Sequence, residues 1–269
     1  MSGVVRAMMT ATHTQSSNAL GQPQIAVLFA AALQLLTPLL PQLGIGEPIG
    51  SQSDAVRTLI TPAGWAFSIW GALYAGSTLF AIYQALPSQR NNALLRPIRW
   101  PAAGAFLGNA VWAAYTQLFG LSVVSVVIIA WTLVCLLVIY RVFSTAIFAA
   151  GERWCVFLPL SALAAWLTVA TTVNIAASLK YHGVDGGTAA PTIGAVIVVI
   201  AGIIAAGALV RGRGNLPFAV VFLWALAAIF SAGGQVAGLI AAATAIAAIL
   251  VIGGQIVGRR THMSVAARG

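Results

Sequence analysis

Long apolar stretches with almost no charge dominate this chain, and one of the clearest runs from Pro101 to Phe143. Arg141 is its only charged residue and stands near its end. A helix needs about 20 apolar residues to cross the hydrocarbon core of a bilayer. The stretch is therefore long enough for two crossings, and we expect a tight turn near Gly120 between them. Segments of this kind predict a bundle of membrane-spanning helices.

The charge content excludes a soluble domain. The 269 residues include 13 Lys and Arg and 4 Asp and Glu, so 6% of the side chains are charged, against about 25% in soluble domains. Hydrophobic residues make up 60% of the chain. The net charge of +9 does not indicate nucleic-acid binding, because the arginines are scattered between apolar runs and form no basic stripe. We interpret them as markers of membrane topology.

Eight segments have the length and hydrophobicity of membrane spans. They are residues 25–43, 64–86, 101–119, 121–143, 154–179, 191–210, 215–232 and 234–258. The predicted fold class is therefore all-α, a polytopic membrane bundle of about eight transmembrane helices.

The distribution of basic residues supports eight spans and predicts their orientation. With eight spans, both termini and alternate loops share one side of the membrane. That side carries eleven of the 13 Lys and Arg residues, and the other side carries Arg57 and Lys180 with Glu47, Asp54 and Asp185. Basic residues are concentrated on the cytoplasmic side of such proteins. We therefore predict that both termini are cytoplasmic and that the protein resides in a bacterial inner membrane.

A change in composition divides the spans into two groups. Seven of the 8 Trp residues lie at or before Trp166, whereas the last three spans consist mainly of Ala, Ile, Val and Gly. The predicted parts are a cytoplasmic N-terminal tail (1–24), a five-helix bundle (25–180), a three-helix extension (181–258) and a cytoplasmic C-terminal tail (259–269).

Pairs of glycines four residues apart allow helices to approach closely. The pairs are Gly104 and Gly108, Gly234 and Gly238, and Gly254 and Gly258. Such packing could lie within one chain or form the seam of a homodimer, and the sequence leaves both open.

Aromatic and amide side chains are concentrated in the first five spans. Phe67, Trp70 and Tyr74 recur at spacings of three and four, which places them on one helix face. Asn109 and Trp112 share a face by the same spacing. In the fifth span Trp166 and Asn174 are placed to border one groove.

These residues admit two interpretations. The rings either fill the core or form the flat walls of a pocket for a flat, mostly apolar molecule. An Asn within hydrocarbon needs a hydrogen-bond partner, which either another helix or the polar edge of a ligand would provide.

The predicted ligand-binding residues are Trp65, Phe67, Trp70, Tyr74, Asn109, Trp112, Trp166 and Asn174. No catalytic or metal-binding residue is predicted, because the spans contain no carboxylate pair, metal-ligand cluster or nucleophile–base pair.

In these residues the first five spans resemble the TspO/MBR family, the tryptophan-rich sensory or translocator proteins. The family's second-helix pattern matches Pro62, Trp65, Phe67, Trp70, Leu73 and Tyr74. Its motifs in the third, fourth and fifth helices match Asn109, Trp112, Trp131, Pro159, Trp166 and Asn174. Ile60 replaces a loop tryptophan implicated in the family's porphyrin photochemistry, so that activity is not expected. The three further helices suggest a divergent, extended member.

The resemblance implies a five-helix bundle whose pocket opens toward the first interhelical loop. Family members bind tetrapyrroles, some bind sterols, and many are dimeric.

The main hypothesis is therefore a membrane sensor or carrier for a porphyrin or a sterol-like lipid, with no cofactor required. The alternative is a structural or regulatory subunit that docks a membrane partner through helices six to eight. An enzyme is a third hypothesis without candidate catalytic residues. Expected partners are membrane lipid, a hydrophobic ligand, and a second copy or another membrane protein, but no nucleic acid.

Overall fold

The structure, a computed structural model, describes residues 20–266, with side chains up to residue 261. Most of the predicted N-terminal tail and the end of the C-terminal tail lie outside the described residues. The helices of the described part are α1 (Gln22–Leu36), α2 (Ile49–Ala55), α3 (Ile69–Ala85), α4 (Leu95–Phe119), α5 (Val123–Phe143), α6 (Ala150–Glu152), α7 (Leu158–Tyr181), α8 (Ala190–Arg211), α9 (Leu216–Ala232) and α10 (Gly238–Ala266). The predicted all-helical membrane fold is confirmed.

A helix lies at each of the eight predicted spans, and seven stretches of the described chain are long and apolar enough to cross a membrane. These are Gln22–Leu43, Gly64–Ala85, Val123–Phe143, Ala150–Tyr181, Gly187–Arg211, Leu216–Gln235 and Gly238–Thr261. The remaining predicted span is α4, which is more polar. It packs between α1 and α5, and 14 of its 25 residues are buried. Neighbouring helices therefore surround α4 and shield its polar side chains from lipid.

Local signals set several helix ends where the sequence predicts them. Gly120 separates α4 from α5 with a φ of +78°, a backbone conformation that glycine adopts without steric cost. The Ser122 hydroxyl accepts a hydrogen bond from the Val124 amide at 3.3 Å and caps α5. Asn215 caps α9 in the same way, since its side-chain oxygen accepts from the Phe218 amide at 3.1 Å. The predicted turn near Gly120 is confirmed.

Helix α4 begins at Leu95, six residues before the predicted start at Pro101. Arg99 is the reason that hydropathy misplaces this boundary. Its buried guanidinium donates hydrogen bonds to the backbone oxygens of Gln84 (3.2 Å), Gln89 (2.6 Å) and Arg90 (3.2 Å). These carbonyl groups lie at and just beyond the C-terminal end of α3, where the helix dipole favours a cation. Arg99 therefore fastens α4 to α3.

Four of the six glycines in the predicted pairs pack against other segments of the same chain. Gly108 packs against Thr132 of α5, and Gly254 packs against Ala206 of α8. A Cβ atom built on Gly254 would lie 2.7 Å from the Ala206 carbonyl oxygen, so only glycine permits this approach. Gly104 and Gly258 also face atoms of the same chain. A Cβ on Gly238, by contrast, would meet nothing within 4 Å. A homodimer stays a prediction.

The C-terminal helices dock on the start of α3. The Ala63 amide donates a hydrogen bond to the Ala228 carbonyl of α9 at 3.0 Å. The Trp224 indole donates to the Ala66 carbonyl at 3.3 Å, and its ring meets Trp65 edge-on at 4.8 Å between centroids. Helices α8–α10 are therefore joined to the five-helix part by backbone and aromatic contacts. Their outward faces are apolar, as lipid contact requires, and docking of a partner there stays a hypothesis.

Contacts at the helix ends agree with loops that alternate between two sides. At one end the Lys180 ammonium donates a hydrogen bond to the Arg57 carbonyl, which joins the end of α7 to the loop before α3. At the other end the Tyr140 hydroxyl of α5 donates to the Ala208 carbonyl of α8 at 3.0 Å. Arg57 and Lys180 thus lie together, as their predicted location on one side of the membrane requires.

Candidate functional site

Trp70 of α3 is the centre of an aromatic cluster. Its ring stacks on Tyr74 at 5.2 Å and on Trp112 of α4 at 6.4 Å, with angles of 26° and 25° between the planes. Trp166 of α7 meets it edge-on at 6.1 Å, and Phe67 in turn meets Trp166 edge-on at 6.3 Å. Helices α3, α4 and α7 thus bring together the rings that helical spacing in the sequence predicts to share a site. Such stacked and edge-on pairs are favoured by the ring quadrupoles.

A small cavity adjoins this cluster. It has a volume of about 40 Å³ and is lined by Ile49, Ser53, Pro62, Phe67, Trp70, Trp112, Leu121, Trp166, Val169, Ala170, Val173 and Asn174. A single water needs about 10–15 Å³ measured in this way, so the cavity is large enough for a few waters. The rings fill most of the space that a flat ligand would use. We call this space the aromatic cavity.

Two hydrogen-bond donors beside the aromatic cavity have no acceptor. The indole Nε1 atoms of Trp112 and Trp166 are buried, and neither has a hydrogen-bond partner among the described residues. Both residues line the cavity and are 6% and 3% exposed. A buried donor without an acceptor costs about 1–3 kcal/mol. Two unpaired indole donors thus belong to residues that line the aromatic cavity.

The two predicted Asn residues both bond to other helices. The Asn109 amide donates to the Gln34 side-chain oxygen of α1 at 3.4 Å. Asn174 accepts a hydrogen bond from the Ser125 hydroxyl of α5 at 2.8 Å. The interhelical interpretation thus holds for both residues. Asn174 also lines the aromatic cavity, whereas Asn109 does not.

The structure places five of the eight predicted site residues around the cavity: Phe67, Trp70, Trp112, Trp166 and Asn174. Tyr74 and Asn109 form its supporting layer, because Tyr74 stacks behind Trp70 and its hydroxyl lies beside the Asn109 amide. Trp65 lies elsewhere. It is 46% exposed and packs on Trp224 of α9. Whether any of the eight binds a ligand stays a prediction.

Residues 44–63, which we call the first loop, cover the cavity and were not predicted to line it. Ile49 and Ser53 of α2 and Pro62 close one side. The first loop is fastened to α4 because the Glu47 amide donates to the Gln117 carbonyl at 2.8 Å. Spacing arguments could not find these residues, because the spacing within a short connecting segment does not show which distant helices that segment covers.

Comparison with known proteins identifies the family of this chain. A family model described as TSPO-like protein matches residues 24–257, which is more than half of the chain. The chain belongs to this family. The TSPO-like match confirms the resemblance to the TspO/MBR proteins, and it runs through α8–α10, so the three C-terminal helices lie within the matched pattern. No curated protein and no solved structure matches the chain. Membership of the TSPO-like family and the apolar helices establish an integral membrane protein.

Proposed function

We propose that this TSPO-like protein is a membrane sensor or carrier that binds a flat lipophilic molecule in the aromatic cavity. The ligand class is a porphyrin or other tetrapyrrole, or a sterol-like lipid, that carries at least one hydrogen-bond acceptor. The observation that carries the proposal is the pair of unpaired indole donors of Trp112 and Trp166 on ring-lined walls. Buried donors without acceptors are uncommon in folded proteins, and here two of them belong to residues that line one cavity.

Binding requires the first loop to move. Pockets for small molecules usually have volumes of about 300–1,000 Å³, whereas the aromatic cavity has about 40 Å³. Displacing α2 from α4 would break the Glu47–Gln117 hydrogen bond and the weaker one from the Gln52 side chain to the Gln117 carbonyl at 3.4 Å. Each such bond contributes about 0.5–1.5 kcal/mol. Ring contacts with a tetrapyrrole would offset that cost, so α2 is the part of the cover expected to open.

Removing the two indole donors while keeping aromatic rings tests this proposal. In a Trp112→Phe, Trp166→Phe variant we expect the affinity for protoporphyrin to fall about 5- to 150-fold, since each of the two lost hydrogen bonds is worth about 0.5–1.5 kcal/mol. The measurement is a titration of the purified full chain in detergent, followed by the porphyrin absorbance band. Trp131→Phe is the matched control, because Trp131 lies on the outer face of α5 and is 59% exposed. Equal affinities for all three proteins would contradict the proposal.

The proposed orientation places both termini in the cytoplasm and the first loop on the opposite side of a bacterial inner membrane. Its support is the bias of eleven basic residues to one side, together with the contact between Arg57 and Lys180 on the other. Alkaline phosphatase fused after Gly269 should be inactive, and the same enzyme inserted after Val184 should be active. The reverse pattern would show that the chain is inverted.

A further inference from the structure

A groove much larger than the aromatic cavity lies between the first loop and the C-terminal helices. Its volume is about 720 Å³. The walls are residues 57–60 of the first loop, the end of α7 with the loop after it, the start of α8, and residues 232–236. Ile60 faces this groove, whereas Pro62 faces the aromatic cavity. The two spaces are thus separate sites on opposite sides of the first loop.

The groove is polar at one end and apolar along its length. Lys180 lies in the last turn of α7, where the helix leaves the membrane, and Arg57 lies beside it in the first loop. Along α8 the lining continues through Ala190, Ile193 and Ile197. The helix rises by about 10 Å over the seven steps from Ala190 to Ile197, so the apolar wall reaches into the membrane span. A charged rim above an apolar wall is the arrangement that an amphiphile with a polar head and a hydrocarbon tail requires.

The rim carries two cations and two carboxylates, and among the described residues one of the cations has no ion-pair partner. Arg57 forms an ion pair with Asp54. Asp185 is engaged by its own loop, since its side chain accepts a hydrogen bond from the Gly187 amide at 2.9 Å. The Lys180 ammonium donates to the Arg57 carbonyl, and within the described residues no carboxylate lies within 4 Å of it. Lys180 is therefore a cation available to an anionic group at the level of lipid headgroups.

We propose that this groove binds a phospholipid with an anionic headgroup. The phosphate would lie beside Lys180 and Arg57, and one acyl chain would follow α8 past Ile193 and Ile197. The volume of the groove lies within the range of about 300–1,000 Å³ that is usual for ligand sites. Eleven of the 18 lining residues come after α7, in the loop that follows it, in α8 and in residues 232–236, so this site exists because the chain continues beyond α7.

The charge at position 180 provides the first test. Native mass spectrometry of the full chain in detergent would count the bound phosphatidylglycerol during a titration, with phosphatidylcholine as the zwitterionic comparison. Lys180→Gln should weaken phosphatidylglycerol binding about 5-fold, the effect of one basic residue near a lipid surface, and leave phosphatidylcholine unchanged. Arg141→Gln removes an exposed arginine at the other end of the bundle and should have no effect. An equal loss in both variants would indicate unspecific charge attraction and overturn the site.

The shape of the groove provides the second test. Ala190→Phe places a ring inside the groove and should reduce the tightly bound phosphatidylglycerol at least 5-fold. Ala189→Phe adds the same ring one residue earlier, outside the lining, and should bind like the unmodified protein. Unchanged binding in both Lys180→Gln and Ala190→Phe would overturn the proposal. The porphyrin affinity of Lys180→Gln should match that of the unmodified protein. The proposals for the groove and for the aromatic cavity are thus tested independently.

Discussion

A Gly233→Ala variant is expected to unfold at a clearly lower temperature than the unmodified protein. Gly233 follows α9, and a Cβ atom built on it would overlap the carbonyl oxygen of Leu59 in the first loop. Both groups are backbone or rigidly attached to it, so a side-chain rotation cannot relieve the overlap. Overpacking of this kind costs about 1–3 kcal/mol, and more where the backbone must shift. We expect the midpoint of thermal unfolding, followed by circular dichroism in detergent, to fall by about 5 °C or more.

Gly238→Ala is the matched control for this change. The residue lies five positions further along, at the start of α10, and its added Cβ would meet no atom within 4 Å. Its midpoint should change little, or rise slightly because alanine favours a helix over glycine. The first loop of the Gly233→Ala variant should also be cut faster by a protease, because Leu59 loses its packing surface. Equal midpoints for the two variants would show that the C-terminal helices do not depend on this contact.

The fold was predictable because composition and periodicity act locally. Gly120 predicts the turn between two spans, and the structure has it there with a positive φ. The boundary error at α4 has a tertiary cause. Arg99 lowers the hydropathy of residues 95–100, and only the carbonyl groups at the end of α3 explain why an arginine is buried at that position. A hydropathy window contains no information about such a partner.

The residues of the site could be predicted from the sequence where they share one face of a helix. Phe67, Trp70 and Trp112 follow from helical spacing, and the structure brings their rings together. Trp65 obeys the same sequence pattern but packs on Trp224, a contact 159 positions away in the chain. The first loop lines the aromatic cavity through Ile49 and Ser53 of α2, and their four-residue spacing does not show which helices they cover. Contacts between segments far apart in sequence depend on how the helices pack, which spacing within one helix does not specify.

Replacing Trp70, Trp112 and Trp166 together by leucine is expected to abolish saturable porphyrin binding. Trp70 is within 6.4 Å of the other two rings, so the variant removes the centre and two walls of the cluster. Each ring contact with a flat ligand is worth about 0.5–1.5 kcal/mol beyond its buried area. Three lost contacts correspond to a fall in affinity of about 100-fold. The measurement is the same absorbance titration, at porphyrin concentrations up to the limit set by partition into detergent.

The control must remove aromatic rings from the bundle without touching the cavity. Phe80 of α3 and Phe106 of α4 form a buried edge-on pair at 6.0 Å, and neither lines the cavity. A Phe80→Leu, Phe106→Leu variant should lose stability but keep its porphyrin affinity within about 2-fold, because the loss is in packing alone. The two interpretations of the tryptophans then give opposite results. If the rings only fill the core, both variants lose stability and neither loses affinity. If they form a ligand site, affinity falls in the tryptophan variant alone.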